Sequence, residues 1–455
     1  MTPEEMLTEV RIRFIYIVYQ NRFLCLWTGE YYSVTSIGRK YASICGTARD
    51  TIDFLLSAEG GLRVVDSVTF EPGEAEIVVS TEGATRFNLW VPTWIEPAAG
   101  DVTLFLNHLS YIFDGDAIAI KFFLQFTAHM LQKPQDKMAF AVLIIGGQGI
   151  GKSLLGEFLA LLVGMENSAF IDMGMLTSQF NGFVLASHLI VVNEFTSSAS
   201  KATRAVLKGL ITSPVLYCNQ KGIAAVQIQN RSNLIMFSND VDVAKLDSDD
   251  RRHFVWNSAA VKREPAYYTE LYTWFGNEGK HAVMEYLLNF DLSDFNPHAA
   301  PPKTASRAAL IRESMSDQQQ ALHDMHESGE APFDGELVVI GDVVEYLNAR
   351  RGPRFTSRDI AAFLRSVGGY QLGQCRLPGV DGTDRKPRVW ALHNADRWVS
   401  AAESDIAAAY VIPGGPRHVA DTQPGTTSLG QPLRIVSALG RATRLATPSN
   451  RLAGL

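Results

Sequence analysis

One stretch constrains this chain more than any other: MAFAVLIIGGQGIGKSLLGEFLALLVG, Met138–Gly164. Met138–Ile145 is a continuous apolar run, as expected of a strand covered on both faces. Gly146-Gly147-Gln148-Gly149-Ile150-Gly151-Lys152-Ser153 matches G-x-x-x-x-G-K-[ST], and Leu154–Val163 has the spacing of an amphipathic helix. Strand, glycine-rich loop and helix in that order form a phosphate loop. The glycines let backbone N–H groups curl round phosphates that side chains would hold off. The helix N-terminus adds a partial positive charge. Lys152 is expected to reach the β- and γ-phosphates of ATP and Ser153 to ligate Mg²⁺.

Two further apolar runs end in polar residues. HLIVVNEF (His188–Phe195) places Glu194 where a catalytic acid that polarises water should fall, at an interval from Lys152 typical of phosphate-loop ATPases. Its neighbour Asn193 stands where an Asp is common. An amide supplies no charge, but its carbonyl can accept hydrogen bonds from metal-bound water, an outer-sphere role. NLIMFSND (Asn233–Asp240) ends in Asn239, which could position the lytic water near the γ-phosphate. The alternation of such runs with helical segments over 138–257 predicts an α/β layer with a parallel sheet.

Between the last two runs, Val215–Cys218 and Ala225–Ile228 flank a turn at Asn219–Gly222 and predict a hairpin with Lys221 near its tip, preceded by a helical segment, Leu207–Ile211, that carries Lys208. A tip lysine is either a nucleic-acid contact or simply solvated. After the third run, DSDDRRHFVW presents Arg251 and Arg252, candidates for an arginine finger acting on a neighbouring subunit or for ion pairs with Asp249 or Asp250.

The flanks are less specific. Residues 1–100 read as a mixed α+β region: Arg13–Val34 is rich in β-branched and aromatic residues, and 50–81 continues as short strands with Gly turns. Val102–Pro134 predicts two packed helices, a collar over 101–136, and 264–290 reads as helices. The ATPase unit is expected over 137–297, a linker and polar helix over 298–334, a small domain over 335–400, and a mostly disordered tail over 401–455. The four cysteines (25, 45, 218 and 375) form no CxxC pair, so neither a zinc site nor a disulfide framework is expected and a reducing cytoplasm is the predicted compartment. The acidic N-terminus is no signal peptide, and no run of about 18 apolar residues exists, so no membrane span is expected.

The ordered set of GGQGIGKS, FNGFVLASHLIVVNE, LKGLITS with NQKG, IMFSND and DDRRHFVW, flanked by FNLWVPTWIEPAAGD and YLLNFDLSDFNPHAAPPKT, resembles superfamily 3 helicases over about residues 85–320. These are AAA+ ATPases, and the helicase portion of phage and prophage primase–helicases is most similar. The resemblance implies an AAA+ core in which Gly146 to Ser153 bind ATP and Mg²⁺, Glu194 is the catalytic acid and Asn239 the γ-phosphate sensor. It also implies that Arg251 or Arg252 is the finger and that Lys221, with Lys208 nearby, contacts DNA in a central channel. The implied assembly is a homo-hexamer moving single-stranded or forked DNA in the cytoplasm of a bacterial host. No paired-acid primase module stands out, so a primase or polymerase is expected as a separate chain.

The segment 335–395 reads as helix, turn, helix and two strands, with Thr356 and Asp359 as a capping box. From Asn348 to Trp390 it holds nine Lys/Arg against three acids in a chain of formal net charge −7. This fits a winged-helix-like DNA-binding domain using Arg354, Arg358, Lys386 and Arg388, or a protein-docking module with a solvated basic face. For the whole chain the leading expectation is an ATP-dependent DNA helicase for a phage or integrated element. A non-helicase AAA+ motor or loader, and a catalytically inert DNA-binding initiator, are the alternatives.

Overall fold

The computed structural model describes residues 2–414 except 224, 246–251, 314, 352–354 and 379–383. At its centre lie five strands: β1 Ala141–Gly146, β2 Ser168–Ile171, β3 Leu189–Val192, β4 Asn233–Ser238 and β5 His253–Ser258. All pair in parallel, in the order β5-β1-β4-β3-β2. Every residue of β1, β3 and β4 is buried, which is why these runs carry no polar alternation.

Period-two geometry splits their side chains between two cores. Val142, Ile144, Leu189, Val191, Ile235 and Phe237 face α1 (Lys152–Val163) and the helices Thr103–Ile112, Ala117–Gln132 and Lys280–Leu288. Leu143, Ile145, Ile190, Val192, Leu234 and Met236 face the other way, against Leu207, Leu210 and Ile211 of α2 (Lys201–Thr212). Burying each such aliphatic side chain contributes about 1.5–3 kcal/mol, so the middle strands anchor the layer.

The topology positions the site. The chain leaves β1 through α1 to the far edge strand β2, works back through β3 and β4, and then passes β1 to form β5. The strand order therefore reverses beside β1, and in open α/β sheets ligands bind at the carboxyl ends of strands at such a reversal. Here the carboxyl ends of β1, β4 and β3 stand side by side.

The hairpin pairs Val215–Cys218 with Val226–Gln229 antiparallel, Val215 opposite Gln229, and leaves Lys221 exposed in the connecting turn. The N-terminal region carries a four-stranded sheet (Tyr31–Ser33, Arg22–Cys25, Phe14–Ile17, Arg63–Val65) and a three-stranded one (Ser67–Thr69, Thr85–Asn88, Ile77–Val79). One expectation is corrected here: residues 50–55 are not a strand but part of the helix Ala48–Leu55. Thr47 caps it by accepting from the Asp50 N–H, and Thr51 and Leu55, four residues apart, supply its buried face.

In the C-terminal module the helices Ile340–Arg351 and Ser357–Ser366 pack with a sheet of three strands rather than two, Leu337–Val339, Arg388–Ala391 and Tyr370–Gln374. The capping box is present: Thr356 Oγ1 accepts from the Asp359 N–H while the Asp359 carboxylate accepts from the Thr356 N–H. The stretch after 401 was expected to lack order, yet Glu403–Ala409 is a helix. Ile406 and Tyr410 pack with Leu337, Val339, Val389 and Trp398, and the Tyr410 hydroxyl and Arg385 both bind the buried Asp342 carboxylate. No helix among the described residues is long and apolar enough to cross a membrane.

A candidate nucleotide site at the reversal of the sheet

The loop after β1 has the shape of a phosphate cradle. Gly146, Gly149 and Gly151 have φ of +159°, +80° and +95°. A Cβ at Gly149 would sit 3.1 Å from Lys262 Cδ, and one at Gly151 would sit 2.7 Å from His108 Cε1. Backbone conformation and space therefore both demand glycine. Ile150, 1 % exposed, pins the loop to the core. No side chain caps the N-terminus of α1, so its first-turn N–H groups face the cradle. Ser153 is exposed on that first turn.

Lys152 is buried and donates from Nζ to Gly146 O (2.7 Å), Gly147 O (2.7 Å) and Asn239 Oδ1 (2.8 Å). The three donors of the ammonium meet three neutral acceptors and no carboxylate. Burial without a counter-charge lowers its pKa to about 8. A bound polyanion favours the charged form, so above pH 8 binding must take up a proton. Affinity for a non-hydrolysable ATP analogue is expected to fall as pH rises from 8 to 9.5, by up to about tenfold per unit. Titration calorimetry at several pH values checks this, with Lys152→Arg flattening the dependence because arginine stays charged.

The lysine contact joins β1 to β4, and β4 in turn holds the end of β3. Phe195 N–H donates to Phe237 O (2.9 Å), Ser238 Oγ donates to Phe195 O (2.6 Å), and Ser197 N–H donates to Asp240 Oδ2 (2.9 Å). Clamped in this way, Glu194 adopts φ +53°. It is the only non-glycine among the described residues at positive φ that is neither Asn nor Asp. Such a conformation costs about 1–3 kcal/mol and persists where its surroundings impose it. Glu194 is exposed, two strand spacings (about 10 Å) from the end of β1. Beside it Asn193 Oδ1 is shielded from solvent and has no hydrogen-bond partner.

These features fit a nucleotide–Mg²⁺ group. The cradle is one a Cβ would fill, and the orphaned Asn193 carbonyl is an acceptor awaiting a donor such as metal-bound water. Among the described residues no group of three or more His, Cys, Asp or Glu could hold a metal alone. Mg²⁺ does not require one, since it takes much of its ligation from phosphates and water.

Other candidates lie elsewhere. Arg252 precedes β5, where its carbonyl accepts from Ala141 N–H at the start of β1 (2.8 Å). That is the opposite edge of the sheet from the phosphate loop, about 17 Å away at five residue rises, so Arg252 does not serve the loop of its own chain. Arg251 and Arg354 lie outside the described residues. Lys208 is exposed on α2, and Arg358, Lys386 and Arg388 are exposed on the C-terminal module. Arg385 is not available there, being held by Asp342.

A wall of residues beside the loop was not foreseen. Arg263 stacks between Tyr111 (4.2 Å to the ring centre) and Tyr267 (4.4 Å). Tyr111 and Tyr268 share a hydroxyl contact (3.2 Å), and His108 Nδ1 meets the Tyr267 hydroxyl (3.0 Å). Burial lowers the His108 pKa to about 4, so the ring at the back of Gly151 is neutral. The exposed Lys262 lies along Gly149. The available signal was the run VKREPAYY (Val261–Tyr268), basic then aromatic, directly after β5.

Comparison with known proteins agrees with this geometry. A family model described as a family of unknown function (DUF5906) matches residues 144–252, the span from β1 to the start of β5. The DNA primase-polymerase of Nitratiruptor phage NrS-1 is 30% identical over 206 residues, which are 44% of this chain and 28% of that protein. The chain thus spans under a third of the length of this curated relative. The apo structure of the NrS-1 C-terminal region superimposes with a TM-score of 0.60 at 20% identity, covering 83% of this chain and 95% of that one. A second apo form gives 0.56 at 21% identity, covering 79% and 84%. At these identities the likeness is one of fold: a mixed α/β chain built on a parallel sheet, shared with the C-terminal region of a phage protein.

Proposed function

We infer that the chain is an ATP-driven motor on DNA, a ring-forming superfamily 3 type AAA+ helicase serving phage-type replication. The observation that carries this is the 2.8 Å contact from Lys152 Nζ to Asn239 Oδ1, because it joins the phosphate loop to the strand end expected to sense the γ-phosphate. The similarity to a phage DNA primase-polymerase supports a replication setting.

In this reading the N–H groups of the loop and the Lys152 ammonium hold the β- and γ-phosphates, exchanging neutral carbonyls for anions. Mg²⁺ would be held by the Ser153 hydroxyl and the phosphates, with Asn193 accepting from its water shell, and would neutralise charge developing on the phosphates. Glu194 orients and deprotonates the attacking water, and Asn239, released from Lys152, positions it. A neighbour's Arg251 or Arg252 supplies a finger in trans, as the far-edge position of Arg252 requires. Lys221 on the hairpin, with Lys208 behind it, tracks the phosphates of one strand, and Arg358, Lys386 and Arg388 add a basic face.

Hydrolysis stimulated by single-stranded DNA tests this reading. Lys221→Ala is expected to lower the DNA-stimulated rate about tenfold and leave the basal rate intact. Equal loss of both rates would count against a DNA-tracking hairpin.

A second reading, a loader or initiator that uses ATP without separating strands, is favoured by one contact. Arg22 Nη2 donates to Gly222 O (2.8 Å), tying the hairpin tip to the N-terminal region.

A further inference from the structure

A cavity of about 490 Å³ lies between the N-terminal sheets and the hairpin, away from the phosphate loop. It has the size of pockets that take nucleotide-sized groups. Its described walls carry two arginines, Arg22 and Arg86, and no acid. Two wall atoms, Arg86 Nε and Gln20 Oε1, are shielded from solvent without a hydrogen-bond partner. A buried donor on a cation with no carboxylate nearby is costly unless an anion completes it. Tyr19 lines the same cavity with its side chain 74% exposed, and Gln227 contributes an exposed amide from the hairpin.

The cavity is open to the hairpin tip. Arg22 reaches Gly222, and Lys221 is the next residue. Arg86, Arg22 and Lys221 therefore form a row of positive charge in a chain of formal net charge −7. Clustered cations, an exposed aromatic ring and flanking amides are the chemistry that holds a single nucleic-acid strand: charge on phosphates, ring on base.

We propose that this cleft binds the backbone of single-stranded DNA, Arg22 and Arg86 contacting phosphates and Tyr19 stacking a base, so that the N-terminal region and the hairpin share one strand. The identity of the polymer rests on the DNA-motor reading; the site itself is separate from the phosphate loop.

The test is fluorescence anisotropy of labelled oligo(dT) with the full chain between 50 and 200 mM salt, alongside ATP hydrolysis without DNA. For Arg22→Gln/Arg86→Gln the expected result is affinity at least about tenfold weaker at low salt. The slope of log K against log salt should shrink by about 1.4, roughly 0.7 for each lost phosphate contact. Gln227→Glu, a change at an exposed residue that leaves the fold intact, should weaken binding in the same direction, and Tyr19→Ala should lower affinity about tenfold. DNA-free hydrolysis should be unchanged in all of them. Unaltered affinity and slope in both the arginine pair and Gln227→Glu would overturn the cleft while leaving the motor reading in place. A wild-type chain that hydrolyses ATP but binds no oligonucleotide would overturn both the cleft and the DNA reading.

Discussion

Lys152→Ala is expected to reduce ATP turnover by at least about 10³-fold, measured as phosphate release at saturating ATP. The side chain is the only one seen to touch both the phosphate loop and the end of β4. Alanine removes the single buried cation of the cradle and the link that lets Asn239 respond to what occupies it. The fold should survive, because Gly146 and Gly147 can turn their carbonyls to water in the open loop. A variant that unfolds at the wild-type temperature yet hydrolyses nothing is the predicted outcome. Substantial residual turnover would remove the phosphate loop from the chemistry.

Glu194→Gln should lower turnover by about 10²–10⁴-fold, the range for a positioned general base, with ATP-analogue affinity within a few-fold of wild type. The amide keeps the shape and the polar contacts but cannot take a proton. The backbone offers a second, independent signature. At φ +53° a non-glycine residue is strained, so Glu194→Gly should raise stability by about 1 kcal/mol while also abolishing turnover. Opposite signs in stability and activity mark a residue kept for chemistry. If Glu194→Gly is destabilising and Glu194→Gln fully active, the acid lies elsewhere.

Much of the core is legible in the sequence for local reasons. The phosphate loop is readable because glycine, lysine and serine occupy fixed offsets between a strand and a helix. β3 and β4 are readable because strands covered on both faces lose their polar alternation. The hairpin and the Thr356–Asp359 capping box depend on neighbours a few residues apart. What escaped depends on distance along the chain. Arg263 stacks on Tyr111 about 150 residues before it, and nothing in VKREPAYY announces that partner. The helix Ala48–Leu55 was read as strand because its buried face holds only Thr51 and Leu55, too little to display a helical period. Glu403–Ala409 is short and alanine-rich, and its order comes from Ile406 and Tyr410 meeting strands already folded.

Asn193 and Arg252 show where sequence pattern and geometry part. By pattern Asn193 is a lost charge; in the structure its carbonyl is a buried acceptor with nothing yet donating to it. By pattern Arg252 follows the sensor strand closely; in the structure it stands at the far edge of the sheet, where only another subunit's site is within its reach. Registry within a parallel sheet decides such matters, and registry is set by all five strands together.

Strand displacement on a forked DNA duplex tests the central claim most directly, with the wild-type chain, Lys152→Ala and Glu194→Gln assayed together in ATP and Mg²⁺. The account predicts ATP-dependent release of the labelled strand by the wild type and none by either variant. ATP hydrolysis stimulated by single strands but accompanied by no strand release would contradict it and leave the loader reading in its place.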